Sequence, residues 1–444
     1  MWAELAQALA SDDAVIAHGA TPGWAAWLAA ELAARGGPGE LVVAVAPDEA
    51  AARQLEADVR FFWGAAHDPA AQLDEVAALP GIDVSPYADL SPDRAAIVER
   101  LATLYRLTQP ALRPRIVVTS AEALARRTLP AAELAARGQT LRAGARVDRD
   151  ALIALLIAGG WARTPVVDEP GTFAVRGGVI DLYAPLAPHP VRVELFGDDI
   201  ESLRWFEAES QRTLRPVDWV HVHPVRDTIA TGAGDVRGRL RDYADEIAHP
   251  SKATRKLIEQ LEHGEVFVGI EGLLPAFHDA LETPAAYVDA LGGAARWLVV
   301  DPDAGRKAIG EVWADAEGRL AERQAARQLA YPPARHLAQP EELGAFTAAR
   351  RIELPVLELH GAPTGGVRRL RVEVDDLHAL AQELAHARAF GDTEHVQPLV
   401  DALGRWRRAG LAVAIACDSQ SRMERLHGVL TARGLDVRRA APGE

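Results

Sequence analysis

The sequence predicts an α/β protein of several domains. A parallel-sheet domain is interrupted by a small α+β insertion and followed by a second small α/β domain. Three observations lead there. The chain has 444 residues, too many for one core. Continuous apolar runs such as Leu41 to Ala46 alternate with helical stretches, as strands buried on both faces do. Between about Arg126 and Ala208 the pattern becomes short alternating strands with glycine turns, the mark of an antiparallel sheet.

Residues 1–125 read as the first half of the parallel-sheet domain. Val15 to Gly19 is a short strand ending in a glycine turn. Helix Trp24 to Arg35 follows, stopped by Gly36-Gly37. A phosphate-binding loop would lie between them. It needs G-x-x-x-x-G-K-[ST], so that amides cradle phosphates, Lys reaches them and Ser/Thr holds magnesium. Gly19, Thr21 and Gly23 remain, but the lysine and the Ser/Thr beside it are missing. Pro22 removes an amide and Trp24 crowds the loop, so no nucleotide binding is expected. Pro47-Asp48 opens the next helix. Ser91 or Asp93 caps helix Ala95 to Leu107, and Ser120 links strand Arg115 to Ser120 with helix Ala121 to Arg127. Tyr87 and Tyr105 are expected to pack.

Residues 126–208 read as the insertion. Asp148 caps a helix from about Arg149 to Ala158, with Gly159-Gly160 as its stop and Leu152, Leu155 and Leu156 as its apolar stripe. Trp161, Arg163 and the loop Asp168-Glu169-Pro170 precede the stretch from Gly171 to Phe206. There Phe173 and Val175 share one strand face, and Gly177-Gly178 breaks the register. Val191 to Phe196 alternates apolar with charged, and Gly197-Asp198-Asp199 supplies a turn. The result is a small twisted sheet. Its solvent face is expected to carry Arg176, Arg192 and Arg204 among Asp181, Glu194 and Glu201. From the residues alone, Arg176 and Arg192 read as solvated and paired with Asp181 and Glu194.

Residues 209–330 return to the α/β domain. His221 and His223 share one face of strand Trp219 to Pro224, the geometry of a metal pair. No third ligand lies within easy reach, so a packed or solvated pair is expected and no metal is assigned. Trp297 to Pro302 has the look of a magnesium-binding strand, yet Pro302 stands where a catalytic Glu would follow Asp301. It reads as a strand end. Helix Ala304 to Ala330, of mixed charge, reads as solvated or interdomain. Residues 331–344, from Tyr331-Pro332-Pro333, read as a linker. Residues 345–444 read as the second small domain: strand Leu370 to Val374, helix Asp375 to Ala389, helix Pro398 to Ala409, strand Leu411 to Cys417 and helix Ser419 to Arg433. Cys417 is expected to end a buried strand. The last residues, Ala441 to Glu444, read as the edge of a fragment.

Composition narrows function. Apolar content is 49% and charged content 25%, as in ordinary globular proteins. A single cysteine excludes an internal disulfide and a Cys-rich zinc site, and fits a reducing cytoplasm. No apolar run is long enough for a bilayer, so no membrane partner is expected. A net charge of -15 argues against a general DNA-coating protein. No catalytic constellation can be named, so the chain is not expected to be an enzyme.

Two stretches carry a resemblance. GTFAVRGGVIDLYAP with VRVELFGDDIESLRWFE and SQRTL resembles the UvrB-homology module, found in the excinuclease subunit UvrB and in the transcription-repair coupling factor family. Pro86, Tyr87, Ser91, Pro92, Arg100, Leu101, Leu104 and Tyr105 resemble the coupling factors' own stretch, and Val266 to Glu271 resembles their "GIE" segment. The degenerate loop and the lack of a tyrosine-rich hairpin also side with the coupling factors. The resemblance implies a degenerate P-loop, RecA-like domain carrying the insertion. It implies that the insertion docks the damage-sensing ATPase UvrA. Carried over, Arg176 matches the motif arginine and Tyr183 stands where Phe is common. Arg163 lies one position from the other arginine, where this chain has Ala162; Arg192 completes the set. ATP, magnesium, RNA polymerase and duplex DNA are implied only for domains outside this sequence. Two alternatives stay open: a divergent UvrB-like subunit binding ATP and damaged DNA, and a standalone adaptor with another partner.

Overall fold

A computed structural model describes residues 14–64, 74–229, 233–262, 267–356, 367–372, 374, 377–389, 396–411, 413–415, 417 and 419–439. In chain order the elements are β1 (Ala14–His18), α1 (Pro22–Arg35), β2 (Leu41–Ala46), α2 (Glu49–Trp63), β3 (Val76–Leu79), α3 (Arg94–Thr108), β4 (Ile116–Ser120) and α4 (Ala121–Ala125). The insertion follows with β5 (Gln139–Arg142), α5 (Arg149–Ala158), β6 (Ala162–Arg163), β7 (Thr172–Arg176), β8 (Val179–Leu182), β9 (Val191–Phe196), β10 (Asp199–Phe206), β11 (Thr213–Pro216) and β12 (Trp219–Val222). Then come α6 (Ala233–Glu246), α7 (Ser251–Glu262), β13 (Ala295–Val300), α8 (Pro302–Ala325), β14 (Arg351–Leu354), β15 (Val367–Arg371), α9 (His378–Ala389), α10 (Gln397–Arg408) and α11 (Gln420–Ala432).

The main sheet has seven strands in the order β15-β1-β14-β13-β2-β4-β3, with every pair parallel. All six residues of β2 are buried, because helices cover both faces of a parallel sheet. Val43 of this strand lies in the core with Trp297, Leu104 and Val117. The helix starts follow the capping rules. Thr21, Asp93, Ser120 and Asp148 each accept an amide hydrogen bond from the first turn of α1, α3, α4 and α5.

The insertion is a six-stranded sheet in the order β11-β10-β9-β8-β7-β6, antiparallel except for β6 with β7. One face packs on α5 through Leu152, Leu156, Phe173, Ile180, Leu182, Val191 and Val193. Strand β12 pairs with β5, and Val220 and Val222 join this same core. Trp219 to Val222 thus packs with the insertion and not with the parallel-sheet core, because its two valines find their apolar partners there.

Other expectations meet a different outcome. Tyr331 to Gly344 is not an open linker: Tyr331, His336, Leu337, Ala338 and Leu343 are all buried. The Ala338 amide donates to Ala125 O at 2.9 Å, and the Arg127 amide to His336 O at 2.8 Å. Prolines fix this backbone without exposing it, since Tyr and Leu between them bury apolar surface. Leu370 and Arg371 belong to β15, which pairs with β1 in the first unit. By its contacts the chain divides between Val372 and Glu373. In the second unit α9, α10 and α11 are formed. Leu411, Val413 to Ile415 and Cys417 are not in a strand, and Cys417 is only half-buried; the remaining residues of that expected strand lie outside the described ones.

A candidate docking surface on the small sheet

The sheet's second face is the one turned away from α5. By strand alternation it carries Ala174 and Arg176 of β7, Val179 and Asp181 of β8, Arg192, Glu194 and Phe196 of β9, and Ser202 and Arg204 of β10. The register aligns Asp181 with Arg192 and Arg192 with Arg204. Three arginines therefore stand in neighbouring rows with two carboxylates.

Asp181 organises them, and it is buried at 3% exposure instead of lying open on the solvent face. Arg192 donates to it twice, Nε to Oδ1 at 2.7 Å and Nη2 to Oδ2 at 3.0 Å. This is a bidentate fork on a carboxylate. That hydrogen bonding, against the opposing effect of burial, raises the Arg192 pKa above its ordinary value. Arg176 Nη1 approaches Asp181 Oδ2 at 3.7 Å and also donates to Pro165 O. Arg176 stays 56% exposed. Further along, Arg204 pairs with Glu194 at 3.5 Å, and Ser202 Oγ donates to Glu194.

A small apolar cluster under the second face explains why Asp181 is dry. Phe206, Ala174 and Val167 are buried together, with Tyr183 packed against them. Arg192 Cζ lies 4.9 Å from the centre of the Phe206 ring, a cation–π contact. The Tyr183 hydroxyl donates to Pro188 O at 3.2 Å, and burial pushes its pKa up. Arg176, Arg192 and Tyr183 are thus brought into one surface. Arg163 is not. It is exposed on the edge strand β6 and aligned with core-facing Phe173, which places it on the other side from Arg176.

At the degenerate loop, Gly19 has φ +83°, and a Cβ there would lie 2.6 Å from Val372 O. The Val372 amide donates to His18 O at 2.8 Å, so the chain after β15 seals this side. Thr21 Oγ1 accepts from the Trp24 amide at 3.3 Å, Pro22 occupies the first helical turn, and Gly23 follows inside it. Thr21 is thereby used, through its hydroxyl and its carbonyl, in starting α1. Asp301, at the end of β13, accepts from the Ala304 amide at 3.3 Å and starts α8. His221 bonds Thr140 at 2.7 Å, whereas His223 is buried and stacked on Tyr105 at 4.8 Å. Among the described residues no group of three or more His, Cys, Asp or Glu side chains is placed to hold a metal. Among them, too, no helix is long and apolar enough to cross a membrane.

The model of the UvrB interaction domain matches residues 140–227, which takes in β6 to β12 and both faces of the sheet. The transcription-repair-coupling factor of Myxococcus xanthus is 34% identical over 409 residues, covering 89% of this chain and 33% of that protein. The chain belongs with the transcription-repair-coupling factors. It corresponds to their amino-terminal region, and its matches span between about a fifth and a third of the length of these curated relatives. The coupling factor of Mycobacterium tuberculosis is 31% identical over 329 residues, 68% of this chain and 25% of that protein. That of Escherichia coli is 31% identical over 257 residues, 57% and 21% respectively. Within this coupling-factor relative, the stretch that reads most clearly from the sequence, Gly171 to Phe206, lies wholly inside the matched domain.

Two features of this surface escape a reading of residue types. One is the burial of Asp181, whose only sequence signal is its place opposite Arg192 in an alternating hairpin. The other is Phe196, 77% exposed at the end of β9. Its position one strand repeat beyond Glu194 could have been read as outward-facing.

Proposed function

We propose that this chain is the recruitment and regulatory module of a transcription-repair coupling factor. Its small sheet docks UvrA and so brings nucleotide excision repair to lesions that stall RNA polymerase. In this reading the module itself neither binds nor hydrolyses ATP. Motor activity, duplex DNA and RNA polymerase belong to the part of the family's proteins that this sequence does not include.

One observation carries the reading. The arginine face held by Asp181 falls inside the matched UvrB interaction domain. Arginine suits such a surface because its planar fork pairs with partner carboxylates, and Arg176 keeps more than half its surface free for that. The nucleotide claim is supported by the missing lysine and by the capping use of Thr21.

The test is calorimetric titration of the chain against UvrA, wild type beside Arg176→Ala. An interfacial arginine at a hot spot is worth about 2 kcal/mol, or roughly thirtyfold in Kd. Loss of that size places Arg176 in the interface. Unchanged affinity moves the site away from it.

A further inference from the structure

We infer that Phe196 is the apolar anchor of the docking surface, and that the partner offers it an apolar socket bordered by carboxylates. The inference rests on the UvrA-docking reading and adds the chemistry of the contact.

Phe196 is 77% exposed, the most open large apolar side chain among the described residues. Its burial pattern within β9 puts it outward. Val191 and Val193 are buried in the core and Leu195 packs against it, while Arg192 and Glu194 alternate with them on the other face. Phe196 therefore stands in the same row as Arg192, one strand repeat beyond Glu194. On the β8 side its neighbours are the two glycines of the β7–β8 turn, and on the β10 side it is aligned with Asp199. Gly177 has φ +61° and open space around the position of a Cβ. Gly178 sits so close to β9 that a Cβ would lie 2.9 Å from Leu195 O, and the Leu195 amide donates to Gly178 O at 2.8 Å. Arg149 Nε donates to Gly177 O at 3.1 Å from the far side, holding the turn in place. Two adjacent positions thus carry no side chain, and the ring of Phe196 has clear space over them.

Charge says what fits there. In register on this face stand Arg176, Arg192 and Arg204 with Asp181 and Glu194, while Asp199, opposite Phe196, is paired with Arg146 at 3.5 Å. Asp181 is already saturated by Arg192 and Arg176. The open edges of Arg176 and Arg204 thus favour carboxylates. Next to the Arg176 guanidinium, Val166 adds a second exposed apolar side chain, at 47%. An aromatic and arginines set side by side, exposed and held on a rigid sheet, are the composition of an interface hot spot.

The experiment is titration of UvrA with four forms of the full chain: wild type, Phe196→Ala, Phe196→Leu and Ile157→Ala. Ile157 is 56% exposed on α5, which packs on the opposite face, so it controls for general stickiness. Thermal melts of all four check folding, which an exposed side chain leaves intact. The inference predicts that Phe196→Ala weakens binding at least tenfold, that Phe196→Leu loses less, and that Ile157→Ala loses nothing. Wild-type binding with Phe196→Ala unchanged overturns the anchor and leaves the docking reading standing. Equal losses for Phe196→Ala and Ile157→Ala overturn it too, since apolar area in general would then suffice. No wild-type binding removes the docking reading, and the anchor with it.

Discussion

Replacing Asp181 by Asn tests the organisation of the arginine face. Asp181 is 3% exposed and takes two hydrogen bonds from Arg192, itself 22% exposed. Asn keeps the volume, can still accept one bond, and turns an NH2 group toward the guanidinium. Removing one partner of a buried ion pair costs about 3–5 kcal/mol. Arg192 reaches water and recovers part of its hydration, so the expected cost is nearer ~2 kcal/mol. The expected effect is local to the insertion's sheet, so a local readout is the more sensitive assay. Hydrogen exchange of peptides covering Val179 to Phe196 reads the local opening free energy. A loss of ~2 kcal/mol accelerates it roughly thirtyfold when closing is fast relative to chemical exchange. A change of less than about threefold would refute the claim that Asp181 holds the sheet's second face together.

Three further outcomes are expected. Burial lowers the pKa of His223 to about 4 and that of His336 well below its ordinary value, so both stay neutral when folded. The unfolded chain then binds more protons below its own pKa of about 6.5, so stability falls as pH drops from there toward 4. For His223 alone this is roughly 2 kcal/mol between pH 6.5 and 5. Denaturant titrations at pH 7 and 5 check it, with His223→Phe flattening part of the slope. Asp301 holds φ +48° while capping α8, so Asp301→Ala loses the cap and strains the backbone, costing about 1–2 kcal/mol. Asp301→Asn, which caps and tolerates that backbone, is near neutral in the same denaturant assay. Equilibrium dialysis with ATP and magnesium should show no saturable binding, and a micromolar Kd would contradict the loss of the phosphate loop.

Local rules made much of the fold legible. The caps at Asp93, Ser120 and Asp148 need only the residues beside them, and their helices begin where those rules put them. The alternation of Val191 to Phe196 gave the insertion's sheet and its two faces. What stayed hidden depends on distant partners. Leu370 and Arg371 read as a strand, but only pairing with β1 assigns them to the first unit. Pro332 and Pro333 punctuate like a linker, and burial against Ala125 and Arg127 is invisible locally. Likewise Asp181 reads as solvated until Val167, Ala174 and Phe206 close a small cluster on its face. Of the candidate residues that the resemblance and the strand reading singled out, Arg176, Arg192 and Tyr183 share one surface, whereas the pairing of β6 with β7 sets Arg163 on the other side.

The central claim is that this module docks UvrA through a charged surface. The most direct measurement is calorimetric titration of the wild-type chain against UvrA at low and at physiological salt. Saturable binding that weakens as salt rises is the predicted result, because exposed charges are screened over about 8 Å at physiological ionic strength. No binding heat from a chain shown to be folded would contradict the account.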